Sequence, residues 1–429
     1  MNILYNVGIG LYRGAARLAG TGSAKVRHML SGQAETMSRL ETFRQQLAPD
    51  GFDLWIHAAS LGEFEQGRPV IDAFMEMNPD AKILLSFFSP SGYEVRCNYD
   101  PRVAVVYLPF DLPGNVERFL DLAAPKMAIF VKYEFWGNYL SSLHRRHIPT
   151  YIISAIFRPG QIFFRPWGGM FRHMLACFSH LYVQDERSRE LLAGIGIDNV
   201  SVTGDTRFDR VTAVCRQRRD IPEIELFKAS HPEIFTLVAG SSWEKDEDVY
   251  VPVLTRRDNV VAIIAPHEFD KERLAAMNRR LGSDSTMLFS DFSRLVKEKP
   301  DEAPQLAAKL RYLIIDCYGL LSSLYRYADT AYIGGGFGVG IHNINEAAVY
   351  GIPVIFGPNY SKFNEAVDLV GLGGAFSIDD SDSFARTLDH MISDSVFRNE
   401  SGRKASDYIA SKVGATPAVM KSIFTDNPT

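Results

Sequence analysis

No run of about 18 consecutive apolar residues occurs in the 429-residue chain, so the sequence offers no helix able to cross a bilayer. Cysteine is scarce as well. Cys97, Cys177, Cys215 and Cys317 lie far apart and form no C-x-x-C pair, which excludes a disulfide scaffold and leaves no thiolate metal signature. A basic excess is also missing. The 46 Lys and Arg stand against 51 Asp and Glu, a formal net charge of −5, which is the wrong balance for a whole-chain nucleic-acid binder. The first twenty residues make a poor secretory signal, because Gly and Arg interrupt their apolar part and no charged region precedes it. The rest is ordinary globular composition, 46% hydrophobic and 23% charged, at a length that predicts two or three domains.

Two stretches of the N-terminal half lack acidic residues. The first carboxylate of the chain is Glu35, and ahead of it Ile3, Leu4, Val7, Leu11, Ala15 and Leu18 recur at helical spacing with Arg13, Arg17, Lys25 and Arg27. A cationic amphipathic helix of this kind either packs its apolar face on a domain or lies in the headgroup layer of an anionic membrane. Between Glu134 and Asp185 there is again no carboxylate, whereas Arg145, Arg146, Arg158, Arg165 and Arg172 alternate with Phe157, Phe163, Phe164, Trp167 and Phe171. Pro159, Gly160, Pro166, Gly168 and Gly169 argue against a continuous helix there, so full burial of these rings is not expected. Guanidinium forks for phosphate and rings for acyl chains would suit an amphiphilic phosphate-bearing ligand.

From residue 53 the pattern is regular. DLWIHAAS, AKILLSFF, VAVVYLPF, MAIFVKYE, TYIISAIF and LYVQ are short β-rich runs, each followed by a stretch of helical period. A second series, IFTLVAG, VVAIIAP, YLIID, TAYIGGG and PVIFG, follows the charge-rich segment around Arg216, Arg218, Arg219 and Asp220. Near-continuous apolar strands imply parallel sheets covered on both faces. The fold class is therefore α/β, two Rossmann-like doubly wound domains facing across a cleft, the glycosyltransferase B arrangement. The boundaries read as an amphipathic segment over 1–34, a first domain over 35–209 and a linker over 210–232. A second domain over 233–395 and C-terminal helices over 396–429, able to return to the first domain, complete the chain.

In such sheets ligands gather at the C-terminal ends of strands. Four constellations sit there. In HAASLGEFEQGRPVI, Glu63 opens a helix after the first strand, placed as a general base. Its S-x-x-E spacing from Ser60 equally fits a capping box, and taken alone favours structure. In VKYEFW, Lys132 and Glu134 project to one side of an extended segment as an ion pair or a substrate clamp. In AGSSWEKDE, Ser241 and Ser242 precede a helix and suit a phosphate or carboxylate, with Ser242 as a plain N-cap the alternative. In YIGGGFGVGIHNINEA, Gly335, Gly336 and their neighbours offer backbone amides to an anion, and Glu346 suits ribose hydroxyls. This loop is neither a P-loop nor a G-x-G-x-x-G fingerprint, and no D-x-D motif follows a strand in the manner of metal-dependent transferases.

ASLGEFEQGRPVI, SFFSPSGYE, FVKYEFW, TGDTRFD, AGSSWEKDE and IHNINEAAVYGIPVIFGP occur in this order, followed by Lys362, Phe363 and Asn364. Together they resemble the 3-deoxy-D-manno-octulosonic acid (Kdo) transferase family over nearly the whole chain. The resemblance implies inverting, metal-independent transfer of Kdo from CMP-Kdo to a lipid A precursor, with no cofactor beyond that donor and no nucleic-acid partner. It also implies a peripheral or monotopic enzyme on the cytoplasmic face of the inner membrane, bound to its anionic surface. By position, it makes Glu63 the general base and Glu134 a second carboxylate with Lys132 beside it. Ser241, Ser242, His267, Gly335, Gly336, His342, Asn343 and Glu346 fall on the donor side. Ser60, Arg158, Arg165 and Arg172 fall on the acceptor side, and Arg207 takes a basic position of the T-G-N-x-K element. Four departures stand out. The family's P-R-H is Ala265-Pro266-His267-Glu268 here, without the arginine; G-G-H-N and E-P-A become Gly340-Ile341-His342-Asn343 and Glu346-Ala347-Ala348; and Asp205 replaces an Asn. The same fold class also serves non-hydrolysing nucleotide-sugar epimerases, and a catalytically silent binding protein is the third reading.

Overall fold

The computed structural model describes residues 3–217 and 219–426, so Arg218 and both chain ends lie outside the described residues. The chain divides into two compact units, Met1–Arg210 with Val413–Thr429, and Val211–Lys412. Each is built on one seven-stranded parallel sheet among the described residues.

In the first unit the strands are β1 (Leu54–Ala58), β2 (Ile83–Phe87), β3 (Val103–Tyr107), β4 (Ala128–Val131), β5 (Thr150–Ala155), β6 (His180–Val183) and β7 (Val200–Val202). They lie in the order β3-β2-β1-β4-β5-β6-β7. β1 to β5 are buried along their whole length because helices cover both faces, which is why their sequences read as unbroken apolar runs. One face packs Trp55, Phe119, Phe130 and Tyr139; the other packs Ile56, Val70, Ile71 and Phe74. The helices between the start of this unit and β7 are α1 (Ile3–Gly22), α2 (Ala24–Gln46), α3 (Leu61–Met77), α4 (Pro90–Arg96), α5 (Pro113–Ala123), α6 (Gly137–Arg145), α7 (Gly169–Leu175) and α8 (Glu186–Ala193).

The second unit carries β8 (Phe235–Ser242), β9 (Val260–Pro266), β10 (Thr286–Leu288), β11 (Tyr312–Ile314), β12 (Thr330–Ile333), β13 (Val354–Phe356) and β14 (Ala375–Ser377), in the order β10-β11-β9-β8-β12-β13-β14. Residues 210–232 are not an extended linker. The end of α9 (Thr206–Gln217) and all of α10 (Pro222–Ala229) fall there. Pro222 starts α10, and Ile221, Ile224 and Phe227 are buried, so the segment folds onto its unit despite its surface charge. Next come α11 (Glu244–Thr255) and α12 (Lys271–Leu281). The C-terminal stretch splits: Ser395–Lys412 belongs to the second unit, whereas the helix Ala415–Lys421 lies in the first. There Val419, Met420 and Ile423 join the core around Phe74, and the Asp209 carboxylate receives the Gly414 and Thr416 amides, each at 2.8 Å.

Helix α1 turns its apolar stripe outward. Leu4, Leu11 and Leu18 are 78%, 71% and 75% exposed, while Tyr5, Ala16 and Gly20 face the unit. Among the described residues no helix is long and apolar enough to cross a membrane.

Candidate functional site

In the first sheet the strand order reverses between β1 and β4, so the loops leaving these strands diverge and open a crevice at their C-terminal ends. Glu63, in the first turn of α3 after β1, and Glu134, just after β4, come from these two connections. Ser60 occupies the N-cap position of α3 but makes no capping bond; its hydroxyl donates to Glu63 Oε2 instead. The S-x-x-E spacing is therefore not a capping box here, and the half-buried Glu63 carboxylate is oriented by a side chain while part of it stays accessible.

β4 stops at Val131, and Lys132 turns the chain with φ of +67°. This corrects the expectation of an extended Lys132–Glu134 pair: a left-handed residue, costly for any side chain with a Cβ, separates them. Lys132 Nζ lies 5.4 Å from the centre of the Tyr133 ring. Glu134 Oε2 receives the Trp136 indole N–H at 2.6 Å and stands 3.0 Å from His57 Nε2.

A second group of charges stands close by. Arg207 pairs with the buried Asp205 at 2.8 Å, and Gln66 donates to both Asp205 oxygens. Burial pushes the Asp205 carboxyl up, but Arg207 and Gln66 outweigh it and hold it below the usual range. Asp205, in the place of a family Asn, thus anchors Arg207. Burial raises the Tyr133 phenol, Arg158 and Arg207 draw it back, and Asp205 and Glu63 push it up again. The fold therefore gathers Glu63, Tyr133, Arg158, Arg207 and Asp205 in one neighbourhood.

The aromatic–arginine stretch behaves differently from its expectation. Phe157 and Phe163 are buried, Phe164 and Phe171 pack against the same core, and Phe135 meets Phe163 at 4.9 Å; only Trp167, 72% exposed, points outward. Burying an irregular segment requires partners for its carbonyls. Arg172 supplies them, donating to Phe163 O at 3.0 Å and Arg165 O at 2.9 Å, so it holds the loop together. Arg145 and Arg146 pair with Glu117. Of the three acceptor-side arginines, Arg158 is exposed beside Glu63's neighbours, Arg165 is exposed on the loop, and Arg172 is structural.

In the second sheet the order reverses between β8 and β12, and the Ser241–Ser242 and glycine loops leave those strands. Ser242 is fully buried; its hydroxyl donates to Glu247 Oε1 at 3.1 Å and accepts from Tyr250 at 3.0 Å, which removes it from ligand contact. Ser241, half-buried with φ of +54°, keeps its side chain at the loop surface. The Gly335 amide is likewise taken: it donates to the buried Asp246 at 2.8 Å. A Cβ on Gly334 would sit 2.2 Å from Ser241 O, and one on Gly336 would sit 2.5 Å from Gly357 N. These glycines serve close backbone packing, which corrects the reading of Gly335 as an amide free for an anion.

Rings supply what the glycines do not. Trp243 stacks on His267 at 4.3 Å, His267 stacks on His342 at 4.5 Å, and the Trp243 indole donates to His342 Nε2 at 3.2 Å. Burial, helped by His267, lowers His342 to about 4, and burial lowers His267 as well, so both rings are neutral near pH 7. Glu346 is oriented by Ser322 at 2.6 Å and Asn343 at 3.1 Å. A cavity of about 690 Å³ opens beside Trp243, Glu268, Arg273 and Gly338. Arg273 reaches back from α12, donating to Glu268 O at 3.0 Å and to Glu247 at 2.6 Å. It brings a guanidinium to the end of β9, next to the segment that lacks the family arginine.

Sequence reasoning passed over His57, Tyr133, Trp136, Trp243 and Arg273. A polar residue inside a fully buried run was the available signal for His57; Arg273 gives none, since only tertiary packing carries a helix residue back to a strand end. Among the described residues no group of three His, Cys, Asp or Glu side chains is placed to hold a metal ion.

Residues 27–210 match a family model described as 3-deoxy-D-manno-octulosonic-acid transferase. The chain is 25% identical over 375 residues to a 3-deoxy-D-manno-octulosonic acid transferase of Haemophilus influenzae, covering 84% of each. It is 27% identical over 367 residues to that of Chlamydia trachomatis, covering 82% of this chain and 79% of the relative. In fold it is similar to a putative UDP-N-acetylglucosamine 2-epimerase from Listeria monocytogenes, with a TM-score of 0.56 at 10% identity, covering 88% of this chain and 98% of that one.

Proposed function

We propose that this chain, a nucleotide-sugar-handling enzyme of the paired Rossmann-domain class and a relative of the Kdo transferases, moves Kdo from CMP-Kdo to a lipid A precursor with inversion and without a metal. Glu63 takes the proton of the acceptor hydroxyl. That oxygen then bonds to the anomeric carbon of Kdo from the face opposite CMP, and the bond to the phosphate oxygen breaks with its electron pair leaving on CMP. Arg158 and Arg207 beside Glu63 meet anionic groups of the acceptor. In the second unit Glu346 accepts from ribose hydroxyls, Ser241 donates to the phosphate, and the neutral Trp243–His267–His342 rings contact the base by stacking and hydrogen bonding. The outward stripe of α1, with Arg13 and Arg17, rests on the anionic cytoplasmic face of the inner membrane, where the lipid acceptor resides.

The observation that carries this reading is the Glu63 carboxylate at the β1–β4 crevice, oriented by Ser60 and not consumed in capping its helix. The test is incubation with CMP-Kdo and a tetraacylated lipid A precursor, followed by mass analysis of the lipid. A mass increase of one or more Kdo units is expected; unmodified lipid beside intact CMP-Kdo would remove the reading. The likeness in fold to a UDP-N-acetylglucosamine 2-epimerase favours a second reading, epimerisation of a nucleotide sugar. That activity needs no lipid, so UDP-N-acetylglucosamine alone, followed by NMR of its C2 configuration, separates the two. CMP-Kdo binding without turnover would favour a silent binding protein.

A further inference from the structure

One carboxylate fixes the ring group of the second sheet from below. Asp246, buried in the first turn of α11, accepts from the Tyr332 hydroxyl at 2.9 Å, the Gly335 amide at 2.8 Å and the Trp243 amide at 2.9 Å. Trp243 is thus held by its backbone to the same side chain that holds the glycine loop. Its indole N–H meets His342 Nε2 at 3.2 Å, and the His267 ring stacks on both partners, 4.3 Å from Trp243 and 4.5 Å from His342. An indole N–H can only donate, so Nε2 must present its lone pair, and a neutral imidazole with Nε2 bare carries its proton on Nδ1. Among the described residues the indole is the sole hydrogen-bond partner of the His342 side chain, so no second contact calls for another placement. Burial and the neighbouring His267 hold the proton uptake of His342 near 4, so Nε2 is not protonated as well at neutral pH. The Nδ1–H of this half-buried ring is a donor that the protein itself leaves unused.

Direction of donation then becomes selectivity. Cytosine offers lone pairs at N3 and O2, whereas uracil carries an N–H at N3 between two carbonyls. A ring that can only donate suits the first base and sets N–H against N–H with the second, and such a repulsive element is what separates close analogues. We propose that Trp243 is a specificity-determining residue: by occupying Nε2 it fixes His342 as an Nδ1–H donor, and this selects cytidine over uridine nucleotides. His342 and Glu346 stand on one short segment, with Asn343 donating to Glu346 at 3.1 Å, so a ribose held at Glu346 carries its base within reach of His342. The inference rests on the Kdo-transfer reading for the base lying at these rings, but the proton placement on His342 stands apart from any ligand.

Nitrogen-15 NMR of the histidine-labelled full chain, with the His342 signal identified by its loss in His342→Gln, is expected to show a proton on Nδ1 and none on Nε2. A proton on Nε2 would overturn the proposal, and this measurement needs only the wild-type fold. Calorimetric titration with CMP and UMP reads the selection. The wild-type chain should bind CMP about 10- to 100-fold more tightly than UMP, the usual consequence of mismatched hydrogen-bonding groups in a partly buried site. Trp243→Phe keeps an aromatic ring against His267 but frees Nε2, so both tautomers become available and the preference should shrink about 10-fold. His342→Gln, whose amide offers a donor or an acceptor by rotation, should shrink it likewise. Equal weakening of both nucleotides in Trp243→Phe, with the preference kept, would mark a purely structural tryptophan and sink the proposal. The two levels fail separately: Kdo transfer to lipid with an unchanged preference in Trp243→Phe would keep the reaction and discard the selection, whereas the expected preferences without transfer from CMP-Kdo would do the reverse.

Discussion

The two strand-order reversals, one per unit, look alike in topology and are used in opposite ways. At the β1–β4 reversal, Glu63 fits a helix cap by its spacing, yet it caps nothing and stands half-buried at a crevice. At the β8–β12 reversal, the glycines and Ser242 fit an anion cradle, yet Asp246, Ser241, Gly357 and Glu247 have already engaged them. Glycine-rich loops satisfy two demands with the same residues, room for a ligand and room for another strand, and only the neighbouring backbone tells which demand applies. An acidic first-turn residue is ambiguous in the same manner, and the partner of its N-cap side chain decides.

The largest effect that would break this contrast is on turnover. Glu63→Gln should cut kcat by on the order of 10³-fold with CMP-Kdo affinity retained, measured by single-turnover assay and donor titration. Retained turnover would make Glu63 a helix-stabilising charge after all and move the base to Glu134. On the other side, Gly334→Ala drives a Cβ into Ser241 O and should cost about 1–3 kcal/mol in denaturant unfolding. An unchanged unfolding midpoint with lost donor binding would restore the anion-cradle reading. Within the arginine loop, Arg172→Ala should cost about 1–3 kcal/mol by leaving the Phe163 carbonyl without its donor and the Arg165 carbonyl with the Gly168 amide alone, whereas Arg165→Glu should leave stability unchanged and raise the KM for lipid acceptor a few-fold. The smallest effect concerns pH. His342 takes its proton near 4 in the folded second unit against 6.5 in an unfolded chain. As pH falls from 6.5 towards 4 the unfolded chain binds a proton that the folded one refuses, so stability falls across that window. The thermal midpoint should drop by roughly 2–4 °C per kcal/mol lost, and His342→Gln should flatten that slope.

The long buried strands were legible because a strand covered on both faces must be apolar along its whole length. β11 and β13 have only three residues each and still stood out, since every one is buried. β7, β10 and β14 are just as short but lie at the outer parts of their sheets with half-exposed residues, so their runs carry no such signal. Glu63, Glu134 and the donor-side loops were legible because they follow strands that were. The turn at Lys132 was not, because nothing in V-K-Y-E announces a left-handed lysine. The packed phenylalanines were misjudged for a related reason: glycines and prolines forbid a helix but do not forbid burial once Arg172 satisfies the loop.

Helix α1 has a second attachment. The Gly137 amide donates to the Tyr5 hydroxyl at 3.0 Å, that hydroxyl donates to Asp111 at 2.6 Å, and Asp111 also receives the Asn138 amide at 2.9 Å. Gly137 directly follows Trp136, whose indole grips Glu134. The helix that shows leucines to its surroundings is thus bolted to the turn carrying the second carboxylate. Trimming it away to obtain a better-behaved protein would take the Tyr5 hydroxyl from Asp111 and from the Gly137 amide, and with it one support of that turn.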